Sequence, residues 1–326
     1  MDEERVQSSM MALYVNRLLA QLRLARDVAI GGASYAFKSK THKAMPTLAH
    51  VEPLEQITPI VQRVLGHNPG PFTLQGTNTY LIGTGKEKIL IDTGEPNIPE
   101  YITALKTALK EAVIKYIVIT HHHNDHVGGI SGIVSEILKN EKVPIYKMKR
   151  ESDEHAERYD YIEDGFKLTV EGATLKFIHT PGHTADHFAI WLEEESSLFS
   201  GDCILGEGTT VFEDLFDYMN SLQKIKKLSA KRIYPGHGPV IDAVDEKVDE
   251  YIEHRMIRER QILAVLRAND EVSSMDITNT VYSTAPWSVR LAALNNVKQV
   301  LNKLVKEGIV INTFFEMYKL TEVPDM

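Results

Sequence analysis

The residues with the clearest chemical potential form one cluster near the middle of the chain. Four side chains that can bind a metal ion fall between positions 121 and 126: His121, His123, Asp125 and His126. Imidazole nitrogens and carboxylate oxygens are usual protein ligands of zinc and similar ions. Along an extended chain His121 and His123 can point the same way, whereas Asp125 and His126 follow a turn. This spacing suits two adjacent metal ions rather than one.

The segments on either side of the cluster indicate how it is positioned. Residues 114–120 are mostly apolar and β-branched, which is typical of a buried strand. The cluster therefore lies in the loop that follows a strand. Gly128 and Gly129 are expected to let the backbone turn tightly, and residues 130–138 have helical character.

Single candidate ligands recur downstream in short, glycine-containing motifs. They are His183 in Thr-Pro-Gly-His-Thr, Asp202 in Ser-Gly-Asp and His237 in Tyr-Pro-Gly-His-Gly. With the His-x-His-x-Asp-His cluster, this order of motifs resembles the metallo-β-lactamase superfamily, in its glyoxalase II-like subgroup. Asp92, in Leu-Ile-Asp-Thr-Gly, matches the first motif of that family. The resemblance covers roughly residues 58–242, motif by motif.

The resemblance implies two metal ions per chain with a shared carboxylate, Asp202. It implies zinc, although histidine and aspartate ligands also accept manganese or iron. Pairs of metal ions of this kind occur in phosphatases and nucleases. His122 occupies a variable position of the motif and is expected not to be a ligand. The implied ligands are His121, His123, His183 and Asp202 for one ion and Asp125, His126, His237 and Asp202 for the other, with Asp125 and His237 also catalytic.

The motifs define the type of bond that is hydrolysed less closely than they define the metal ligands. Residues 68–71 and 206–214 resemble an animal branch of the family that includes a mitochondrial endoribonuclease, which implies cleavage of single-stranded RNA. The alternative is thioester hydrolysis, because glyoxalase II shares all the implied ligands. β-Lactam hydrolysis fits less well, since β-lactamases usually lack an aspartate at the bridging position. A scaffold without catalysis is disfavoured, because it would be free to lose these ligands.

The composition is that of an ordinary globular protein. The chain has 326 residues, of which 43% are hydrophobic and 25% charged, and its length suits about two domains. No apolar run is long enough to span a bilayer, so no membrane association is expected. The net charge of −9 is a poor basis for nonspecific nucleic-acid binding. The single cysteine, Cys203, excludes an intrachain disulfide and is expected to be a small buried side chain.

Two domains are predicted after an N-terminal extension. In residues 51–245 strands alternate with helices and ligands follow strands, which predicts a layered α/β core. The resemblance implies an αββα sandwich. Residues 246–326 are predicted to form a winged-helix-like module of three helices and a hairpin, with Asp276 as the N-cap of the second helix. A packing module is the alternative, because this part carries ten Lys or Arg against twelve Asp or Glu. No oligomeric state follows from the sequence.

The basic residues suggest two further roles. Between positions 10 and 51 there are six Lys or Arg and one acidic residue, a composition typical of a mitochondrial transit peptide. Residues 1–50 are therefore predicted to direct the protein to the mitochondrial matrix, and an N-terminal helix without a targeting role is the alternative. In the predicted helix 248–267, Arg255 and Arg258 lie three residues apart and share one side. They are predicted to contact RNA phosphates.

Overall fold

Residues 48–153, 156–286 and 290–321 are described by the computed structural model. They form two compact units, residues 48–260 and 261–321, and the division falls inside the long helix predicted from residue 248. The predicted transit peptide lies outside the described residues, apart from its last three positions. Within the described part of the chain, no helix is both long and apolar enough to cross a membrane.

A seven-stranded sheet forms the first half of the first unit. Its strands follow the order of the chain, antiparallel from β1 to β4 and parallel from β4 to β7. Parallel neighbours need crossover connections, and three helices lie in those that follow β4 and β5. The strands are β1 (Leu54–Gln56), β2 (Val61–Leu65), β3 (Asn78–Ile82), β4 (Glu87–Ile91), β5 (Val113–Val118), β6 (Ile145–Met148) and β7 (Asp160–Ile162), and the helices are α1 (Pro99–Leu109), α2 (Asn124–Val127) and α3 (Ile130–Glu136).

A five-stranded sheet forms the second half of this unit. Its strand order is β12-β11-β10-β9-β8, and all neighbours are antiparallel except β11 and β12. Helix α4 connects that parallel pair. The elements are β8 (Lys167–Val170), β9 (Ala173–His179), β10 (Phe188–Leu192), β11 (Ser197–Gly201), α4 (Leu215–Leu228), β12 (Ile233–Pro235) and the long helix α5 (Val244–Arg267).

Two apolar layers hold the first sheet in place, and β4 contributes to both. Ile89 and Ile91 belong to the cluster that also contains Phe177 and Phe188 of the second sheet. Leu90, on the opposite face, belongs to the cluster formed with helices α1 and α3. Alternate residues of a strand point to opposite faces, so a single strand can serve both layers. This arrangement confirms the predicted layered α/β sandwich.

The ends of four strands deliver the candidate ligands. Strand β5 ends just before His121 and β9 just before His183. Strand β11 ends directly before Asp202, and β12 ends two residues before His237. Segments that follow strands can carry polar side chains without breaking the hydrogen bonds of the sheet. The sheets therefore stay regular while the candidate ligands lie at their ends.

The described part of the second unit contains a helix of 8 residues, a helix of 17 residues and a three-stranded antiparallel sheet of order β13-β15-β14. Gly308, at φ +73°, follows the second helix and has the left-handed conformation expected of a residue that ends a helix. The elements are β13 (Val272–Ser273), α6 (Ser274–Val281), α7 (Arg290–Lys306), β14 (Val310–Asn312) and β15 (Met317–Leu320).

The predicted N-cap of α6 is wrong. The cap is Ser273, whose side-chain oxygen accepts a hydrogen bond from the Asp276 backbone N–H at 3.0 Å. Asp276 lies within the first turn, and its carboxylate accepts from the Ser273 hydroxyl at 2.6 Å. Serine and aspartate are both good N-caps, and the helix begins directly after Ser273, the last residue of β13.

Candidate metal centre

The structure brings all seven predicted ligands together. Each residue offers one donor atom, and within each of two groups these atoms lie no more than 4.8 Å apart. We call them the first and the second metal group. The first consists of His121, His123, His183 and Asp202, and the second of Asp125, His126 and His237.

The nitrogens of the first group have the spacing of metal ligands. His121 Nε2 lies 3.0 Å from His123 Nδ1, and His183 Nε2 lies 3.2 Å and 3.1 Å from these two atoms. Ligands at about 2.0–2.1 Å from a tetrahedral zinc ion are roughly 3.3 Å apart. Three imidazoles therefore converge on a space that fits one ion.

The second group is equally compact, and Asp202 lies between the two groups. Asp125 Oδ2 is 3.2 Å from both His126 Nε2 and His237 Nε2. Asp202 Oδ2 is 3.4 Å from His237 Nε2 and 3.7 Å from His183 Nε2, and its Oδ1 is 3.4 Å from His126 Nε2. One carboxylate thus reaches both groups, which is the position that a bridging ligand needs.

Two buried atoms in this cluster lack a hydrogen-bond partner, although carboxylate and imidazole groups of the cluster lie near them. In the described residues, His126 Nε2 and Asp202 Oδ1 are shielded from solvent and make no hydrogen bond. Buried polar atoms are normally paired, because an unpaired one loses its hydration without compensation. Both atoms are of types that bind divalent ions. The residues present therefore fit a pair of metal ions.

The charges around the cluster also favour cations. Burial lowers the pKa of His121 and His123 well below the usual value, and neighbouring imidazoles lower it further, so both remain neutral donors. Burial by itself would lower the pKa of His237 too, but Asp202 and Asp125 outweigh it and raise that pKa to about 10. The carboxylates that attract this proton would equally attract a metal ion.

Asp92 orients His126 through the ring nitrogen that does not face the metal group. Its carboxylate accepts hydrogen bonds from the Thr120 backbone N–H at 2.8 Å and the Thr120 hydroxyl at 2.9 Å. Its Oδ2 lies 2.7 Å from His126 Nδ1, which turns His126 Nε2 toward the second metal group. Asp92 itself has φ +58°, a conformation that costs energy for a residue with a side chain and that often occurs at functional sites.

Residues 206–214 support another ligand. His183 Nδ1 lies 2.7 Å from the Val211 carbonyl oxygen and 3.1 Å from the Thr210 hydroxyl. Arg255 donates to the Thr210 carbonyl at 3.0 Å, and its guanidinium carbon lies 4.9 Å from the centre of the Phe212 ring. This segment, which the sequence singles out only by resemblance, connects helix α5 to His183.

The predicted phosphate contact of Arg255 is therefore wrong. This side chain is only 9% exposed and is enclosed by the segment that it supports. Arg260 lies on the exposed surface of the same helix and forms an ion pair with Glu253. Helical spacing predicts which residues share a side, but it does not indicate that Arg255 packs against the aromatic ring of Phe212.

Several residues that contact the ligands were not identified from the sequence. His187, which lies outside the ligand motifs, is buried, and its Nε2 accepts a hydrogen bond from the Asp202 backbone N–H at 3.1 Å. Burial lowers the pKa of His187 to about 3, which keeps it a neutral acceptor. His122 belongs to neither metal group, and its Nδ1 lies 3.1 Å from Asp186 Oδ1. Cys203 is a buried free thiol.

The glycines of the cluster are needed for close approach rather than for unusual torsions. Gly128 and Gly129 have φ of −66° and −74°, values that any residue adopts. The predicted tight turn therefore does not explain why these two positions are glycine. A Cβ on Gly129 would lie 1.8 Å from the Thr93 carbonyl oxygen. A Cβ on Gly236 would lie 2.3 Å from Asp202 Oδ1. Any side chain at either position would displace the loops that carry ligands.

Comparisons with known proteins agree with this geometry. The profile of the metallo-beta-lactamase superfamily matches residues 72–237, and that of the beta-lactamase associated winged helix domain matches residues 273–314, which confirms the predicted winged helix. A Caenorhabditis elegans protein named beta-lactamase-like protein 2 homolog is 68% identical over 277 residues, covering 84% of this chain and 94% of that protein.

Two more distant relatives widen the comparison. An Aspergillus chevalieri protein named atrochrysone carboxyl ACP thioesterase is 40% identical over 77% of this chain and 82% of its own length. A solved metallo-beta-lactamase family protein from Thermus thermophilus has the same fold, with a TM-score of 0.61 at 23% identity over 82% of this chain and 100% of that one. With its ligand motifs, its layered fold and its winged helix, the chain belongs to the metallo-β-lactamase superfamily.

Proposed function

We propose that this protein is a metal-dependent endoribonuclease that hydrolyses phosphodiester bonds of single-stranded RNA. The observation that carries the proposal is the pair of metal groups joined by Asp202, an arrangement that suits phosphoryl transfer. Members of the superfamily are generally metal-dependent hydrolases. Residues 68–71 and 206–214 resemble the animal β-lactamase-like protein 2, a mitochondrial endoribonuclease, and this resemblance supports RNA as the substrate.

The residues of the two groups would hold two ions, and we propose zinc, with manganese or iron as alternatives. Their nitrogen and carboxylate donors match the ligands that zinc prefers. When bound, such ions would polarise a phosphoryl oxygen and lower the pKa of water. His121, His123, His126 and His183 are assigned to binding alone.

Asp125 and His237 are proposed to take part in catalysis as well as in binding. The Asp125 side chain keeps 18% of its surface exposed, so part of this carboxylate faces solvent and can accept a hydrogen bond from the attacking water. His237 is buried beside Asp125 and Asp202. We assign to it the placement of the ion of the second metal group, which when bound would stabilise the charge that develops on the phosphate.

Thioester hydrolysis is the second candidate, and a specific observation favours it. A relative at 40% identity is named as a thioesterase, and the match covers 77% of this chain. The two activities need the same metal groups but differ in the size and charge of the substrate. A polyanionic RNA strand gains affinity from cationic contacts that weaken as salt is added, whereas a small thioester presents few such contacts.

The test is to incubate the purified protein with single-stranded RNA, duplex RNA and a small thioester, each at low and high salt and with or without chelator. We expect cleavage of single-stranded RNA that is lost with chelator and falls as salt rises. Duplex RNA should react more slowly, because its phosphates are held in a stacked helix. Rapid thioester hydrolysis with no cleavage of single-stranded RNA would reject the endoribonuclease in favour of the thioesterase.

The proposed compartment is the mitochondrial matrix, and the basic, acid-poor composition of residues 10–50 supports it. Fusion of these residues to a fluorescent protein should bring the fluorescence into mitochondria. A diffuse cytosolic signal would contradict the proposal. The RNA partner inside that compartment would be single-stranded.

A further inference from the structure

A buried chain of hydrogen bonds leads from residues 66–77 to the second metal group. The Asn68 amide nitrogen donates to the Thr77 hydroxyl at 3.0 Å, and this hydroxyl donates to Asp125 Oδ2 at 3.1 Å. Asn68 and Thr77 are both buried. Asp125 Oδ2 is also the oxygen that faces His126 and His237, so the chain ends on the atom placed to bind a metal ion.

The direction of this chain follows from the donors available. The Thr77 backbone N–H can only donate, and it lies 2.9 Å from the other side-chain atom of Asn68, which must therefore be the oxygen. The Asn68 nitrogen then faces the Thr77 hydroxyl and can only donate to it. A hydroxyl carries one proton, and with one lone pair already engaged that proton is directed to Asp125. The Asp125 carboxylate is thereby held in one orientation.

The same segment also contacts the other histidine-bearing loop of the second metal group. His237 Nδ1 lies 3.3 Å from the Gly76 carbonyl oxygen, and Thr77 and His237 form an isolated β-bridge. The ends of the segment are tied by Gly66, whose N–H donates to the Thr77 carbonyl at 2.7 Å. The first metal group is supported elsewhere, since Thr210 and Val211 contact His183. Thr77 thus supports Asp125 of the second group, whereas His183 of the first group is supported by other residues.

We propose that Thr77, oriented by Asn68, is a positioning residue that holds Asp125 and thereby sets the affinity of the second metal group for its ion. The inference rests on the metal centre of the proposed function but does not depend on the substrate. Outer hydrogen bonds of this kind orient metal ligands and typically change metal affinity about 10–100-fold when removed. Because the first group does not rely on Thr77, only one of the two ions should be affected.

The test is a metal titration of the full-length protein after removal of metal, with cobalt or zinc against a competing chelator. Thr77→Val keeps the shape of the side chain and removes the hydroxyl. We expect it to weaken one of the two binding equivalents about 10–100-fold and to leave the other unchanged. Thr77→Ser, which retains a hydroxyl, should restore both. With cobalt, the visible absorption of the second equivalent should change in Thr77→Val alone.

Thr79→Val is the matched control. Thr79 is also buried, lies two positions further along the chain and donates to the Val64 carbonyl at 2.8 Å, but it does not support a ligand. It should bind both equivalents as the wild type does. Asn68→Asp is a second, independent variant, since a carboxylate there would accept the Thr77 proton and withdraw it from Asp125. It should weaken the same equivalent as Thr77→Val.

Two results would overturn the inference. One is wild-type affinity for both equivalents in Thr77→Val and Asn68→Asp. The other is an equal loss of both equivalents in Thr77→Val and Thr79→Val, which would indicate general damage to the fold. Failure of the proposed function would give a different result. If the wild-type protein binds both ions and Thr77→Val weakens one of them, but no RNA is cleaved, the endoribonuclease is rejected and the role of Thr77 stands.

Discussion

Replacement of His123 by alanine is expected to abolish hydrolysis and to lower the amount of bound metal. His123 Nδ1 lies within 3.1 Å of two other donor nitrogens of the first metal group, so its loss opens that group. Removal of a mere outer partner of a ligand costs about 10–100-fold in metal affinity or activity, and the loss of a ligand should exceed about 100-fold. The measurements are metal content per chain and the rate of RNA cleavage in the same preparation.

His122→Ala is the control for this prediction, because it removes an imidazole at the adjacent position that belongs to neither metal group. Its partner is Asp186 Oδ1 at 3.1 Å. This variant should keep both metal ions and most of the activity. Equal loss of activity and metal in the two variants would show that the ligand positions in the motif have been assigned wrongly.

Replacement of Arg255 by alanine is expected to destabilise the first unit and to loosen metal binding, rather than to change the salt dependence of RNA cleavage. The variant leaves the Thr210 carbonyl without its donor and removes the cation above the Phe212 ring. An unpaired buried carbonyl and a lost desolvated cation–π contact together correspond to about 2–4 kcal/mol. Chemical denaturation measures the stability, and chelator competition measures the metal affinity.

Arg260→Ala provides the matched control on the same helix. Arg260 is exposed and paired with Glu253, and exposed ion pairs contribute little to stability. Its removal should leave the denaturation midpoint and the metal affinity close to those of the wild type. If Arg255→Ala instead kept full stability and metal affinity while RNA binding became weaker, Arg255 would be a phosphate contact after all.

The seven candidate ligands could be predicted from the sequence because their short motifs resemble, in residue type and order, those of a known family. Each motif indicates the type of the ligand and its position after a strand. The fold then brings the ends of these strands together. The strand predicted over residues 114–120 is observed as β5 (Val113–Val118), and the helix predicted over residues 130–138 is observed as α3 (Ile130–Glu136). The short helix α2 (Asn124–Val127), which carries Asp125 and His126, lies where the sequence predicted a loop.

The supporting residues could not be predicted, because their partners are remote in the sequence. Thr77 and Asp125 are 48 positions apart, and Arg255 and Thr210 are 45 apart. Strand β6 was missed for a similar reason. Its Lys147 looks solvent-exposed in the sequence, but it is buried in the structure, where Asp153 and Asp186 lie 2.7 Å and 2.8 Å from its ammonium group. Only the folded chain shows that this charge is neutralised.

We propose that two metal ions held by one cluster enable this chain to cleave single-stranded RNA. The most direct measurement is the rate of cleavage of a single-stranded RNA by metal-free protein as zinc is added in measured equivalents. We predict no cleavage without metal and a rate that rises until two equivalents per chain are bound. Full cleavage by the metal-free protein, or no cleavage with both equivalents bound, would contradict the account.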